Sequence, residues 1–200
     1  MPIPATASDA ELIGWAQRGR GEAIGLLVER YSPRLYRYLL RLAGEPAQAE
    51  DLLQDTWLRV VERLDRYDPG QPFVVWLFAV ARHRAIDILR QRARTRRLLG
   101  QRAQAHENEE GEALDPLDQV AADAPSPLES AAQEEIDTRV AELFGRLPVH
   151  YREVLALRFQ HEMRLDEVSQ VLRLPLSTVK TRVQRGLALL RQRVEGLGLG

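Results

Sequence analysis

Apolar residues recur at three- and four-residue spacing along two stretches of this 200-residue chain, about residues 9–97 and 136–193, with no alternating strand pattern in either. Between them, residues 98–130 are acidic, rich in alanine and broken by Pro116, Pro125 and Pro127. Such a segment has too little apolar pattern to build a core, so it reads as a linker. The expected fold is therefore all-α: two small helical domains, residues 1–97 and 136–200, joined by a flexible acidic linker, residues 98–135.

Within the first stretch, a short helix carries Leu12, Ile13 and Trp15, and Gly19 and Gly21 break it from the next. The second helix, about residues 22–42, repeats Leu26, Leu27, Leu35, Tyr38, Leu39 and Leu42, with an interruption expected near Ser32 and Pro33. Gly44 closes it and Pro46 opens a third helix over residues 47–66, with Leu52, Leu53, Trp57, Val60, Val61 and Leu64 facing inward. A turn-rich loop at residues 67–72 leads to a fourth helix, residues 73–94, apolar first and basic later. Past the linker, Ile136, Val140, Leu143, Phe144 and Leu147 restore helical spacing. Pro148 then starts a helix holding Val154, Leu155, Leu157 and Phe159.

Residues 165–193, LDEVSQVLRLPLSTVKTRVQRGLALLRQR, read as a short helix, a proline-containing turn and a second helix with a basic face, a helix-turn-helix. At 100° per residue from Val179, the residues Val183, Leu187 and Leu190 form the stripe that must be buried. Thr181, Gln184, Arg185 and Ala188 then point outward, and Lys180 and Arg182 flank them. In a DNA groove the strip would meet base edges and the flanking cations the phosphates. Ser177 is the expected N-cap. An ordinary surface helix with solvated arginines is the competing reading.

Overall charge, −1, taken as an average argues against a polyanion partner, but the average conceals blocks. The three segments carry +4, −9 and +4. Each helical block therefore presents positive potential of its own. Arg82, Arg84, Arg90, Arg92, Arg94, Arg96 and Arg97 crowd the end of the fourth helix, either as a solvated basic face or as a nucleic-acid surface. Glu50, Asp51, Gln54 and Asp55 cluster near the start of the third, where they suit the helix dipole or a protein partner.

The chain contains no cysteine, which excludes disulfides, thiolate metal sites and a cysteine nucleophile. His83, His106, His150 and His161 lack metal-ligand spacing, and Gly19, Gly21 and Gly25 follow no strand and fail the phosphate-loop pattern. No cofactor, metal or catalytic residue is expected, nor an enzyme. No segment has signal-peptide character or approaches the roughly 20 apolar residues of a membrane span, so no membrane insertion and a cytoplasmic location are expected.

Taken together, AEDLLQDTWLRVVERL, then PFVVWLFAVARHRAIDILR, then an acidic linker, then LFGRLPVHYREVLALRFQHEMRLDEVSQVLRLPLSTVKTRVQRGLALLR resemble a bacterial RNA polymerase sigma factor of the sigma-70 family. The likeness is narrowest to the extracytoplasmic-function group, which keeps only regions 2 and 4. The resemblance implies a transcription initiation factor that binds core RNA polymerase, through its clamp helices and flap, and directs it to promoters. It implies region 2 in residues 1–97 and region 4 in residues 136–200. Asp51, Gln54 and Asp55 match the core polymerase-binding patch. Asp68, Gln71, His83, Asp87, Arg90 and Arg94 match the surface that melts and holds the −10 element. Ser177, Thr178, Lys180, Thr181, Arg182, Gln184 and Arg185 match the −35 reader. Promoter DNA and an anti-sigma factor are the further implied partners, for a monomer that joins the nucleoid when bound to polymerase. His83 stands where the family usually has Asn, which leaves the base contact there open. A sigma-like decoy that sequesters an anti-sigma factor, and a conventional operator-binding regulator, are the alternatives.

Overall fold

The computed structural model describes residues 3–4, 6–43, 45–98 and 147–196. Seven α-helices lie among them and no strand. Helix α1, Asp9–Gln17, opens on a capping box: the Glu11 backbone N–H donates to Ser8 Oγ at 3.3 Å, while the Ser8 N–H donates to the Glu11 carboxylate at 2.8 Å. Such a cap contributes about 1 kcal/mol. The helix stops where Gly19 adopts φ +83°, a conformation with no steric cost only for glycine.

Helix α2, Gly21–Ala43, runs through Pro33 without the expected interruption. A proline inside a helix costs about 3 kcal/mol in isolation. Here Tyr31, Leu35, Tyr38 and Leu39, all buried, hold both sides of it to the core. The Trp57 indole N–H also donates to Ser32 Oγ at 3.0 Å, pinning the chain beside the proline. Helix α3, Pro46–Arg63, starts at the proline as expected and ends in a 3-10 turn at Leu64–Arg66. Val61, expected inward, is 53% exposed: Val60 and Leu64 take the core face, and Val61 lies one position off it. The expected terminator Gly44 lies outside the described residues.

Helix α4, Phe73–Leu98, is longer than expected. Its first half packs through Phe73, Leu77 and Phe78, and Tyr67 and Phe73 meet edge to face at 5.7 Å, closing the preceding loop onto it.

In the carboxy-terminal part, Pro148 precedes α5, Val149–Leu155, which runs into a single π turn at Ala156–Gln160. The turn buries Leu157 and pushes Phe159, expected in the core, out to 52% exposure under the Arg158 guanidinium. Helices α6, Leu165–Leu172, and α7, Leu176–Gly196, form the helix-turn-helix. The linker, and the apolar repeats of residues 136–144, lie outside the described residues.

The two helical units meet directly. Helix α6 lies on α4, α5 reaches α2, and one apolar core continues across both. At the seam the Arg82 guanidinium grips the Glu153 carboxylate through two hydrogen bonds, 2.9 and 3.2 Å long, with the two side chains 6% and 0% exposed. Tyr38 donates its hydroxyl to the same carboxylate at 2.7 Å, and Arg34 donates to the His161 carbonyl at 2.8 Å. The His161 ring sits 4.7 Å from that of Phe78 and 6.0 Å from that of Tyr38, with neither ring nitrogen hydrogen-bonded. Burial, reinforced by the charges of Arg34, Arg41 and Arg37, pulls its pKa down to about 4.

Candidate nucleic-acid interface

The turn of the helix-turn-helix is made without glycine. Arg173 takes the left-handed conformation, φ 55°, at the end of α6. The Leu174 N–H donates to the Ser169 carbonyl at 3.2 Å, and Ser169 Oγ donates to the Leu174 carbonyl at 2.6 Å. These bonds satisfy backbone groups that the left-handed residue takes out of the helix. Pro175 follows, and its carbonyl accepts the Val179 N–H at 3.1 Å as α7 begins. Ser177, expected as N-cap, therefore lies inside the first turn, where its carbonyl accepts from Thr181 Oγ1 at 3.1 Å.

The buried face of α7 is set by a close helix contact. A Cβ placed on Gly186 would lie 3.0 Å from Leu155 Cδ1 and 3.3 Å from Tyr151 Cβ, so α7 approaches α5 closely enough here that any larger side chain would have to push Leu155 or Tyr151 aside. The inward line runs Val179, Arg182, Gly186, and Leu187, expected on it, is 40% exposed. Arg182 differs most from expectation: it is fully buried, on the opposite side from the strip it was expected to flank. Ser177, Lys180, Gln184 and Arg185 are exposed, with Thr178 and Thr181 half-buried between them. Lys180 and Gln184, and likewise Thr181 and Arg185, are four residues apart and so share one face. The outward face offers two cations and two neutral hydrogen-bonding groups, the mixture that can bind phosphates and read base edges together.

On the other unit, the loop before α4 is a compact turn. The Gly70 N–H donates to Asp68 Oδ1 at 2.8 Å, the Gln71 N–H to the Asp68 carbonyl at 3.2 Å, and the Tyr67 hydroxyl to the Gln71 carbonyl at 2.5 Å. Asp68 thus spends its side chain on shaping the loop. Between this loop and α1 opens a cavity of about 330 Å³, walled by Tyr67, Gln71 and Phe73 on one side and Ile13, Gly14 and Gln17 on the other. The contribution of α1 was not read from sequence, because those residues register only as helix pattern. His83 and Asp87 are both exposed on α4, one turn apart, with Nε2 to Oδ2 3.8 Å. Arg90 and Arg94 continue the same helix, and their side chains lie outside the described residues. Among the described residues no group of histidines and carboxylates could hold a metal, and no helix is long and apolar enough to cross a membrane.

On α3, Asp51 and Gln54 are exposed, and Asp55 is half-buried in an ion pair with Arg84 of α4. The same stripe continues into Leu58, 63% exposed, and Val61. An acidic start followed by two bare aliphatic side chains is the make-up of a protein-binding face. Leu58 and Val61 were missed in sequence; their spacing of seven and ten residues from Asp51 places them on that face.

The family model described as Sigma-70 region 2 matches residues 27–95, and that described as Sigma-70, region 4 matches residues 137–190. The ECF RNA polymerase sigma factor SigX of Bacillus subtilis is 31% identical over 175 residues, covering 87% of this chain and 84% of its own. SigW of the same organism, also an ECF RNA polymerase sigma factor, is 28% identical, covering 90% and 94%. The RNA polymerase sigma factor CnrH of Cupriavidus metallidurans is 30% identical, covering 92% of each chain. Among solved structures, CnrH in complex with the cytosolic domain of CnrY superposes with a TM-score of 0.66 at 23% identity, over 95% of this chain and 99% of that one. The fold is also shared with the sigma factor RpoE in complex with the anti-sigma factor NepR from Bartonella quintana, TM-score 0.62 at 19% identity, over 84% and 94%.

Proposed function

Since this chain belongs to the sigma-70 family, in its extracytoplasmic-function group, and so directs core RNA polymerase to promoters without being an enzyme, we propose that its two units divide promoter reading between them. Residues 1–97 act as region 2 and residues 136–200 as region 4, with residues 98–135 as the connection. The observation that carries this reading is the pair of family matches in order on one chain, with an exposed cationic strip on α7 in the second.

Lys180 and Arg185 supply salt-sensitive attraction to phosphates, while Thr181 and Gln184 reach base edges of the −35 element in the major groove. The buried position of Arg182 favours a role inside the unit over one on DNA. In region 2, the cavity beside the Asp68–Gln71 turn, lined by Tyr67 and Phe73 together with the polar Asp9, Gln17 and Gln71, takes one base lifted from the opened −10 strand, with His83, Asp87, Arg90 and Arg94 along the flanking helix. Asp51, Gln54 and Asp55, extended by Leu58 and Val61, dock the polymerase clamp. The protein works in the cytoplasm, and an anti-sigma factor is a natural controlling partner for a chain so similar in fold to sigma factors solved with their inhibitors.

Sequencing RNA made by core polymerase plus this protein on genomic DNA tests the reading. Transcripts should start downstream of a shared pair of elements, and charge reversal at Lys180 and Arg185 should abolish them. Start sites no different from those of core polymerase alone would overturn it.

A further inference from the structure

We infer that Gln17 of α1 selects the base held in the cavity beside the Asp68–Gln71 turn, accepting a hydrogen bond from the exocyclic amine of adenine or cytosine and turning away the keto bases thymine and guanine. The inference rests on the reading of that cavity proposed above and adds to it the class of base.

The cavity has two sides of different character. Tyr67 and Phe73, both buried, give an aromatic side on which any base can lie. The other side is one face of α1, carrying Asp9, Ile13, Gly14 and Gln17. At about 330 Å³ the space admits purine and pyrimidine alike, so neither size nor stacking decides which base enters. Discrimination falls to the polar groups of the lining. The Asp9 carboxylate is already held by the Arg30 guanidinium at 2.5 Å and by the Tyr31 hydroxyl. The Tyr67 hydroxyl donates its proton to the Gln71 carbonyl. The carboxamides of Gln17 and Gln71 are the lining groups with capacity to spare.

Of the two, Gln17 has its orientation fixed. Its Nε2 donates to the Leu64 carbonyl at 2.9 Å, tying α1 to the 3-10 turn that leads into the loop. Turned over, the amide would set its oxygen against that carbonyl oxygen, so Oε1 is the end that Gln17 offers beyond the bond. An acceptor there matches the amine of adenine or cytosine. Thymine and guanine carry a carbonyl oxygen at the same place, and two oxygens facing each other with no proton between them leave both unsatisfied. Gln71 is half-buried, and no hydrogen bond holds its amide among the described residues. It is free to turn and donate to the ring nitrogen beside the amine. Gln17 therefore sets the choice, and Gln71 follows it.

The test combines the full chain with core polymerase on a promoter pool whose −10 element is fully randomised, and counts transcripts from each template by sequencing. At one position the parent should favour adenine and cytosine over thymine and guanine by about tenfold. Gln17→Met, similar in length but without the acceptor, should bring that ratio close to one and leave the other positions unchanged. Gln17→Lys, which puts a donor where the oxygen was, should reverse it. Gly14→Leu adds bulk on the same side, where a Cβ meets only the Arg18 guanidinium at 3.5 Å or more. It should lower transcription from the whole pool and flatten the same position. A ratio that survives both Gln17 variants while the −10 element is still read would overturn the selector and leave the promoter reading standing. Uniform loss at every position with the ratios kept would also overturn it, by showing that Gln17 only ties α1 to Leu64. A position that prefers a keto base in the parent and is relaxed by Gln17→Met would overturn the acceptor chemistry. If no template is used above the level of core polymerase alone, the promoter reading itself falls, and the selector with it.

Discussion

Replacing His161 with Phe should stabilise the protein and remove most of its acid sensitivity at the seam. The ring is 4% exposed, lies against Phe78 and Tyr38, and leaves both nitrogens without hydrogen bonds. An unsatisfied buried polar atom costs about 1–3 kcal/mol, so an apolar ring of similar shape should gain on that order at pH 7.5. The bonds made by the His161 backbone, to Arg34 and to the Ala156 carbonyl, survive the change. Protonation adds a second, separable effect. Because the folded pKa is depressed to about 4 from an ordinary 6.5, by burial and then by Arg34, Arg41 and Arg37, the unfolded chain binds the proton first as pH falls. Stability from this group is complete above pH 6.5 and is lost as pH drops toward 4. The linkage integral gives a loss of about 2 kcal/mol at pH 5 relative to pH 7.5. Urea denaturation at both pH values, followed by circular dichroism, measures the two effects. His161→Phe should move the midpoint up by about 0.5–1 M at pH 7.5 and by more at pH 5. A destabilised variant at pH 7.5, or an advantage that does not grow at pH 5, would refute the account of a dry, neutral imidazole.

Other consequences can be measured independently. Gly186→Leu should destabilise the carboxy-terminal unit by 1–3 kcal/mol or more, because the side chain must displace Leu155 and Tyr151; a thermal melt within 2 °C of the parent would exclude the close contact. Leu58→Arg and Val61→Asp should each weaken core polymerase binding at least about tenfold while leaving thermal stability nearly unchanged, as both sites are more than half exposed. Lys180→Ala and Arg185→Ala should each lower the salt slope for −35 duplex binding by about one, read from titrations at several salt concentrations. Arg182→Ala, in contrast, should lower the melting temperature, since it empties a fully buried site.

Much of the fold was legible because local signals along the chain are strong. The helical periods of α2 and α3, Pro46 and Pro148 at helix starts, and the Gly19 stop depend on backbone preferences that neighbours do not override. Lys180, Gln184 and Arg185 came out exposed as read. Errors arose where packing chose between adjacent residues. Val61 and Leu187 are apolar and one position from a buried line, so periodicity could not decide their side. Pro33 normally ends a helix, yet here tertiary contacts on both flanks carry the helix through it.

The sequence alone determined the helical class, the two blocks and the order of their motifs, since these follow from periodicity and charge along the chain. Tertiary structure alone decided that Gly186 is a contact point, that Arg182 turns inward, that Leu58 and Val61 lie bare beside the acidic patch, and that Arg82 meets Glu153 across 71 residues of sequence. The physical reason is range. A helix forms from interactions three and four residues apart, whereas burial of a particular side, and compensation of a buried charge, depend on which distant surface arrives opposite it.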